Sequence, residues 1–138
     1  KMKPSLTVIV LITAMLTSCN LDTGYVKHTN MVIPIDEHLV PETGVIDQPV
    51  NIYVSAKLDN GCWSNIHFSL IQNDDREFEV WAFADFYSEG ECPPVEVSAD
   101  STLTFTPTRT GDHFITFWMS TTHNVKNTVV VVSDPDRK

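Results

Sequence analysis

The chain reads as all-β, an antiparallel β-sandwich of about seven or eight strands. Three observations predict it. Apolar residues recur at every second position from Val50 onward; turn-forming clusters interrupt that alternation roughly every ten residues; and no stretch of useful length carries a helical period. With 138 residues, 42% of them hydrophobic, the chain can fill one proper core.

The first apolar run, residues 31–35, is interrupted by Pro34 and reads as a broken edge strand, because proline cannot donate to a ladder. Val50, Ile52, Val54 and Ala56 then alternate with Asn51, Tyr53 and Ser55. After the turn "LDNG", the phase Cys62, Ser64, Ile66, Phe68, Leu70 alternates with Trp63, Asn65, His67 and Ser69. The cluster "NDDR" turns the chain into a long strand over residues 77–87, which ends at the loop "SEGECPP". Leu103 and Phe105 mark another strand, "TPTRTGD" a corner, residues 114–120 a further strand, and the valine-rich residues 127–133 the last. Such strands hide their apolar phase by packing as two facing sheets.

The start of the chain has a different grammar. Lys1 and Lys3 precede the apolar stretch of residues 6–16, "LTVIVLITAML", and the small residues Thr17 and Ser18 follow it. A positive end, a short apolar stretch and a small-residue end describe an export signal. As a helix the apolar stretch would reach roughly 16 Å, about half of a bilayer's hydrocarbon core, which disfavours a stable transmembrane anchor. Leu16, Thr17, Ser18 and Cys19 resemble the lipobox of bacterial lipoproteins. That resemblance implies cleavage before Cys19, a lipid on its sulfur, and a mature chain that begins there. Two or more acyl chains, at about 0.8 kcal/mol per buried methylene, hold a protein stably where one does not. Asn20 follows the cysteine in place of the aspartate that can signal inner-membrane retention in that family, so the resemblance favours the outer membrane of an envelope that has one. The expected organisation is a signal peptide at 1–18, an acylated cysteine and tether at 19–30, and a β-sandwich domain at 31–138.

Removing the 18 residues before Cys19 takes away two lysines and no acid, leaving 120 residues with 7 basic and 18 acidic side chains. That balance argues against nucleic acid and against an anionic lipid surface as partners of the domain body, since phosphate contacts need clustered lysine and arginine. Export also places Cys62 and Cys92 in an oxidising compartment, where an even remainder of cysteines is expected to pair. Their loop of about 30 residues is worth roughly 3 to 4 kcal/mol in the chain-entropy model. A metal or redox role is the rival; it lacks a CxxC motif and any ligand spacing of the five histidines around either cysteine.

A second resemblance concerns the fold. "ETGVIDQPVNIYVSA" looks like the first two strands of bacterial immunoglobulin-like modules, and "LTFTPTRTGDHFITFW" like two later strands joined by a glycine corner. In such domains a tyrosine commonly caps that corner; here His113 stands there, which reads as a corner or core histidine with one satisfied ring nitrogen. Cys62 and Cys92 do not occupy the usual inter-sheet cysteine positions. The resemblance therefore implies an architecture and no particular activity.

No catalytic residue, cofactor site or metal site is assigned. The chain has no GxSxG elbow, HExxH motif, P-loop or dinucleotide fingerprint, and the paired aspartates Asp74 and Asp75, or Asp134 and Asp136, read as solvated turns. The informative strand is "EFEVWAFADFY". If Phe78, Val80, Ala82, Ala84 and Phe86 face the core, Trp81, Phe83 and Tyr87 face solvent, and the same argument turns Phe114 and Trp118 outward on a later strand. Were those strands neighbours, Trp81, Phe83, Tyr87, Phe114 and Trp118 would form an aromatic platform suited to stacking on sugar rings or docking a partner. One β-bulge would flip the phase, and a loop over the rings would hide them. The expected function is a non-enzymatic, lipid-anchored envelope protein that binds a glycan, peptide or protein through this face. A structural or assembly component of an envelope complex is the alternative, and an inhibitor of secreted enzymes a third class, for which no inhibitory loop motif is present.

Overall fold

A computed structural model describes residues 24–135, so Cys19, the expected export signal and residues 20–23 of the expected tether lie outside the described residues. The described chain is all-β, without helix, in nine strands: β1 (Val26–Ile33), β2 (Glu37–Leu39), β3 (Thr43–Val45), β4 (Val50–Leu58), β5 (Trp63–Asp74), β6 (Glu77–Ser88), β7 (Val97–Phe105), β8 (Gly111–Trp118) and β9 (Asn124–Val132). They form two sheets. The larger runs β1-β6-β8-β9-β3 with β5 also paired to β6, and the smaller runs β2-β4-β7.

The alternation places the core where period two requires. Val50, Ile52, Val54 and Ala56 of β4 are buried, as are Phe78, Val80, Ala82 and Ala84 of β6, Ile115 and Phe117 of β8, and Val129 and Val131 of β9. Ile33 and Ile35 close the core beside Pro34, which ends β1. His113 is fully buried between Phe78 and Phe105, at centroid distances of 6.4 and 6.2 Å. Its Nδ1–H donates to the Gly111 carbonyl at 3.0 Å, since a carbonyl can only accept, while Nε2 has no partner.

Three features differ from the expectations. Strand β1 begins at Val26, so residues 26–30, expected as tether, belong to the domain. Six of its eight residues are exposed, and its place comes from backbone pairing with β6 rather than from an apolar pattern. The larger sheet is mixed rather than antiparallel, because β3 pairs with β9, and β6 with β8, in parallel; side-chain alternation carries no information about strand direction. Strand β3, three residues long, lies within the stretch that the resemblance gave as a first strand. It passes close to β4, where a methyl group on Gly44 would meet Val50 Cγ2 at 2.8 Å. Lastly, β5 is bulged between Ser64 and His67, with Asn65 at φ 53°. Ser64 is therefore exposed and Trp63 packs on the core against Phe86 at 4.9 Å, whereas Ile66, Phe68 and Leu70 keep the inward phase.

Cys62 and Cys92 form a disulfide with Cα atoms 5.3 Å apart. It ties the start of β5 to the loop between β6 and β7. Asn60 Oδ1 accepts from the Cys62 N–H and Pro93 O accepts from the Gly61 N–H, so the staple sits in a turn already organised by hydrogen bonds. Replacing both cysteines with alanine is expected to remove about 3 kcal/mol of stability through the freed loop of the unfolded chain. Urea unfolding of the double variant measures it, and an unchanged midpoint would deny the bridge a stabilising role.

Candidate functional site

The registers lay out the solvent face of the larger sheet. Phe83 of β6 lies between His67 of β5 and Val32 of β1; Trp81 pairs with Ser69; Glu79 lies between Ile71 and Thr116, and Thr116 pairs with Lys126 of β9. Trp81 and Trp118 stand one position beyond the parallel pair of Val80 and Phe117 and therefore share this face. Both indoles are partly exposed, as are Phe83 and Phe114.

The five predicted rings do not make one flat platform. Trp81 and Trp118 stack with centroids 4.7 Å apart and planes 15° apart. Rings so nearly parallel cannot lie side by side at that spacing, so their faces overlap and each indole covers part of the other. Phe83 continues the run from Trp81 at 6.4 Å and 17°, and His67 follows Phe83 at 5.5 Å and 26°. The result is a ladder across β5, β6 and β8 in which Trp81, Phe83 and Trp118 are half-buried and His67 is exposed. Phe114 stands apart beneath the Lys126 ammonium, 4.2 Å from its centroid. Tyr87 lies near the far end of β6, edge-on to Tyr25 at 5.5 Å, and donates its hydroxyl hydrogen to Glu89. The structure thus joins Trp81, Phe83 and Trp118, leaves Phe114 and Tyr87 outside the run, and adds His67. The alternation already turned His67 away from the core, but its neighbour across the sheet had no sequence signal.

Polar groups border the ladder. Trp81 Nε1–H donates to Glu79 Oε2 at 3.2 Å, which fixes that indole's rotation. Trp118 Nε1 is buried without a partner. Ser69, Thr116 and Asn124 supply neutral hydroxyl and amide groups, since Asn124 pairs with Trp118. Among the described residues no group of three or more His, Cys, Asp or Glu side chains stands placed to hold a metal ion.

Asp85 organises the end of this face. Both strands beside it are bulged, β1 between His28 and Met31 and β5 between Ser64 and His67, and Asn30 and Asn65 in those bulges have φ of 57° and 53°. The Asp85 carboxylate accepts from Asn30 N–H at 2.8 Å and from Asn65 Nδ2 at 3.1 Å, latching both bulges to β6. Those hydrogen bonds, the backbone one first, hold its carboxyl below the ordinary value of 3.8. Elsewhere, hydrogen bonding to Glu89 pushes the Tyr87 phenol up, and Glu96, bridged to Lys57 at 3.0 Å, raises that ammonium. Lys57 lies in a shallow acidic cavity of about 230 Å³ on the smaller sheet, lined also by Asp36, Glu37 and Asp100.

The chain matches no family model, no curated protein and no solved structure.

The Asp85 latch has a signed pH dependence. A carboxyl whose folded value is depressed stabilises above the ordinary aspartate range and loses that contribution as pH falls through the folded value. Wild type should therefore exceed Asp85→Ala in stability near neutrality, and the gap should close as pH drops below 3.8. Urea titrations of both proteins from neutral to acid pH check this, and a gap of constant size would rule the latch out.

Proposed function

We propose that this protein is a lipid-anchored, exported, non-catalytic binding module whose ladder of Trp118, Trp81, Phe83 and His67 engages a glycan. The single observation that carries the reading is a stacked aromatic run on the solvent face of a sheet, bordered by neutral hydrogen-bonding groups. Sugar rings offer apolar C–H faces ringed by hydroxyls, and such a surface answers both. Acidic composition, with 18 acidic against 9 basic residues, fits a solvated envelope protein and opposes nucleic acid as the partner. Kinship with immunoglobulin-like modules is supported by the two-layer packing and by the β4–β7 pairing opposite the larger sheet. The parallel β3–β9 and β6–β8 pairs depart from that fold's two antiparallel sheets.

The anchor follows from the lipobox of Leu16, Thr17, Ser18 and Cys19, with the outer membrane as destination. The assembly reading draws on Ile71, Val130 and Val132, exposed on the same face, which would suit docking to an envelope protein.

Retention on insoluble polysaccharides tests the face. The full chain should be held, and Trp81→Ala and Trp118→Ala should each weaken retention roughly tenfold, an aromatic contact being worth about 0.5–1.5 kcal/mol beyond its buried area. Retention by none of the polysaccharides, or equal retention of the variants, would remove the glycan reading. Metabolic labelling with palmitate in a bacterial host tests the anchor: label should enter the wild type and be absent from Cys19→Ala, and equal labelling of the two would reject lipid attachment at that sulfur.

A further inference from the structure

The ladder runs across the strands rather than along one of them. From His67 on β5 to Trp118 on β8 it crosses two inter-strand spacings of about 4.8 Å and steps once along β6 from Phe83 to Trp81. Successive centroids lie 5.5, 6.4 and 4.7 Å apart. A pyranose has the footprint of one six-membered aromatic ring, so the run is longer than a single sugar. Most of the charges on this face are engaged or acidic. Glu79 holds the Trp81 indole, Lys126 sits over Phe114, and Asp85 holds the two bulges. Glu77 and Asp112 remain exposed on the same face. Four carboxylates, Glu77, Glu79, Asp85 and Asp112, face two ammonium groups, Lys27 and Lys126, and the free groups nearest the indoles, Ser69, Thr116 and Asn124, are uncharged.

Building on the glycan reading, we infer that this face takes a linear, uncharged oligosaccharide of about three sugar units laid across β5, β6 and β8, and discriminates against uronate-bearing chains. The ring surface that the stack leaves uncovered on Trp118, on Trp81 and on the Phe83 and His67 pair provides three successive contact stations. A carboxylate on the ligand would meet a face on which four carboxylates outnumber two ammonium groups, one of them over Phe114 and the other beside Tyr87, four residues beyond Phe83 along β6. Because Trp81 and Trp118 brace each other, their rotamers are set before a ligand arrives, and less ordering entropy opposes binding.

Isothermal titration of the full chain in detergent with cello-oligosaccharides and N-acetylchito-oligosaccharides of one to six units, and with oligogalacturonates of the same lengths, tests the inference. Affinity for at least one neutral series should rise roughly three- to tenfold per added sugar up to about three units and then level off, with oligogalacturonates at least tenfold weaker. His67→Ala, an exposed position at the far end of the ladder, should reduce trisaccharide affinity more than disaccharide affinity. Single sugars binding as tightly as trisaccharides, oligogalacturonates binding equally well, or an indifferent His67→Ala would overturn this inference while the polysaccharide retention above still stood. Retention by none of the polysaccharides, or equal retention of the indole variants, would overturn the glycan reading itself and this inference with it.

Discussion

Strand β6 is the constraint on which the larger sheet depends, because β5 pairs along one of its edges while β1 and β8 share the other. Its two phases do different physical work. Inward, Phe78, Val80, Ala82 and Ala84 are buried, and the two alanines leave room for side chains of the facing sheet. Outward, Glu79, Trp81, Phe83 and Asp85 carry the stacked rings, the hydrogen bond to the Trp81 indole and the two bulge contacts. A one-residue slip of β6 would exchange these sets, putting two carboxylates into the core and the apolar phase into water. The register of β6 is thus held by burial on one side and by polar and aromatic contacts on the other.

Asp85 and the indole pair solve two local problems this arrangement creates. Strands β1 and β5 each carry one extra residue opposite the same stretch of β6, and an extra residue interrupts the ladder and leaves a backbone donor to be satisfied. One carboxylate serves both sides, receiving a backbone N–H from Asn30 and a side-chain amide from Asn65. Asparagine suits both positions because it tolerates positive φ better than other side chains. At the other end, β6 meets β8 through four residue pairs only, from Glu77 with Phe114 to Val80 with Phe117. Trp81 and Trp118 stack one step beyond the last of these, extending a short parallel contact by overlap of their rings.

Legibility followed burial. The sequence made β4, β6 and β8 readable because each has one fully buried phase, and it identified Cys62 and Cys92 as a pair by counting. It caught only the last three residues of β1, reached β3 only through the resemblance to immunoglobulin-like modules, and left β2 unread, since β1 is mostly exposed and the other two strands are three residues long. Parallel pairing had no signal either. For the candidate face, Trp81, Phe83 and Trp118 were legible as outward residues, and so was His67. Which rings met was not, because stacking depends on the β6–β8 neighbourhood and on a bulge set by the φ of Asn65, neither of which alternation encodes. Tyr87 and Phe114 were read correctly as outward on their strands but stand too far along them to join the run; local partners, Glu89 with Tyr25 and Lys126, take them instead.

A structural purpose for the ladder and a binding purpose are compatible, and magnitudes show why. An aromatic pair adds about 0.5–1.5 kcal/mol beyond area burial, a sizeable share of the stability of a domain that holds only some 5–15 kcal/mol. Yet joining β6 to β8 would be served as well by aliphatic residues, which fill such cross-strand positions without leaving large rings half in water. Two indoles, a phenylalanine and an imidazole in sequence exceed what the junction needs, and the edges they expose lie beside hydroxyl and amide groups. Stacking that stabilises the sheet also immobilises the rings, so the same contacts that hold β8 against β6 prepare a surface that can receive a ligand without first being ordered.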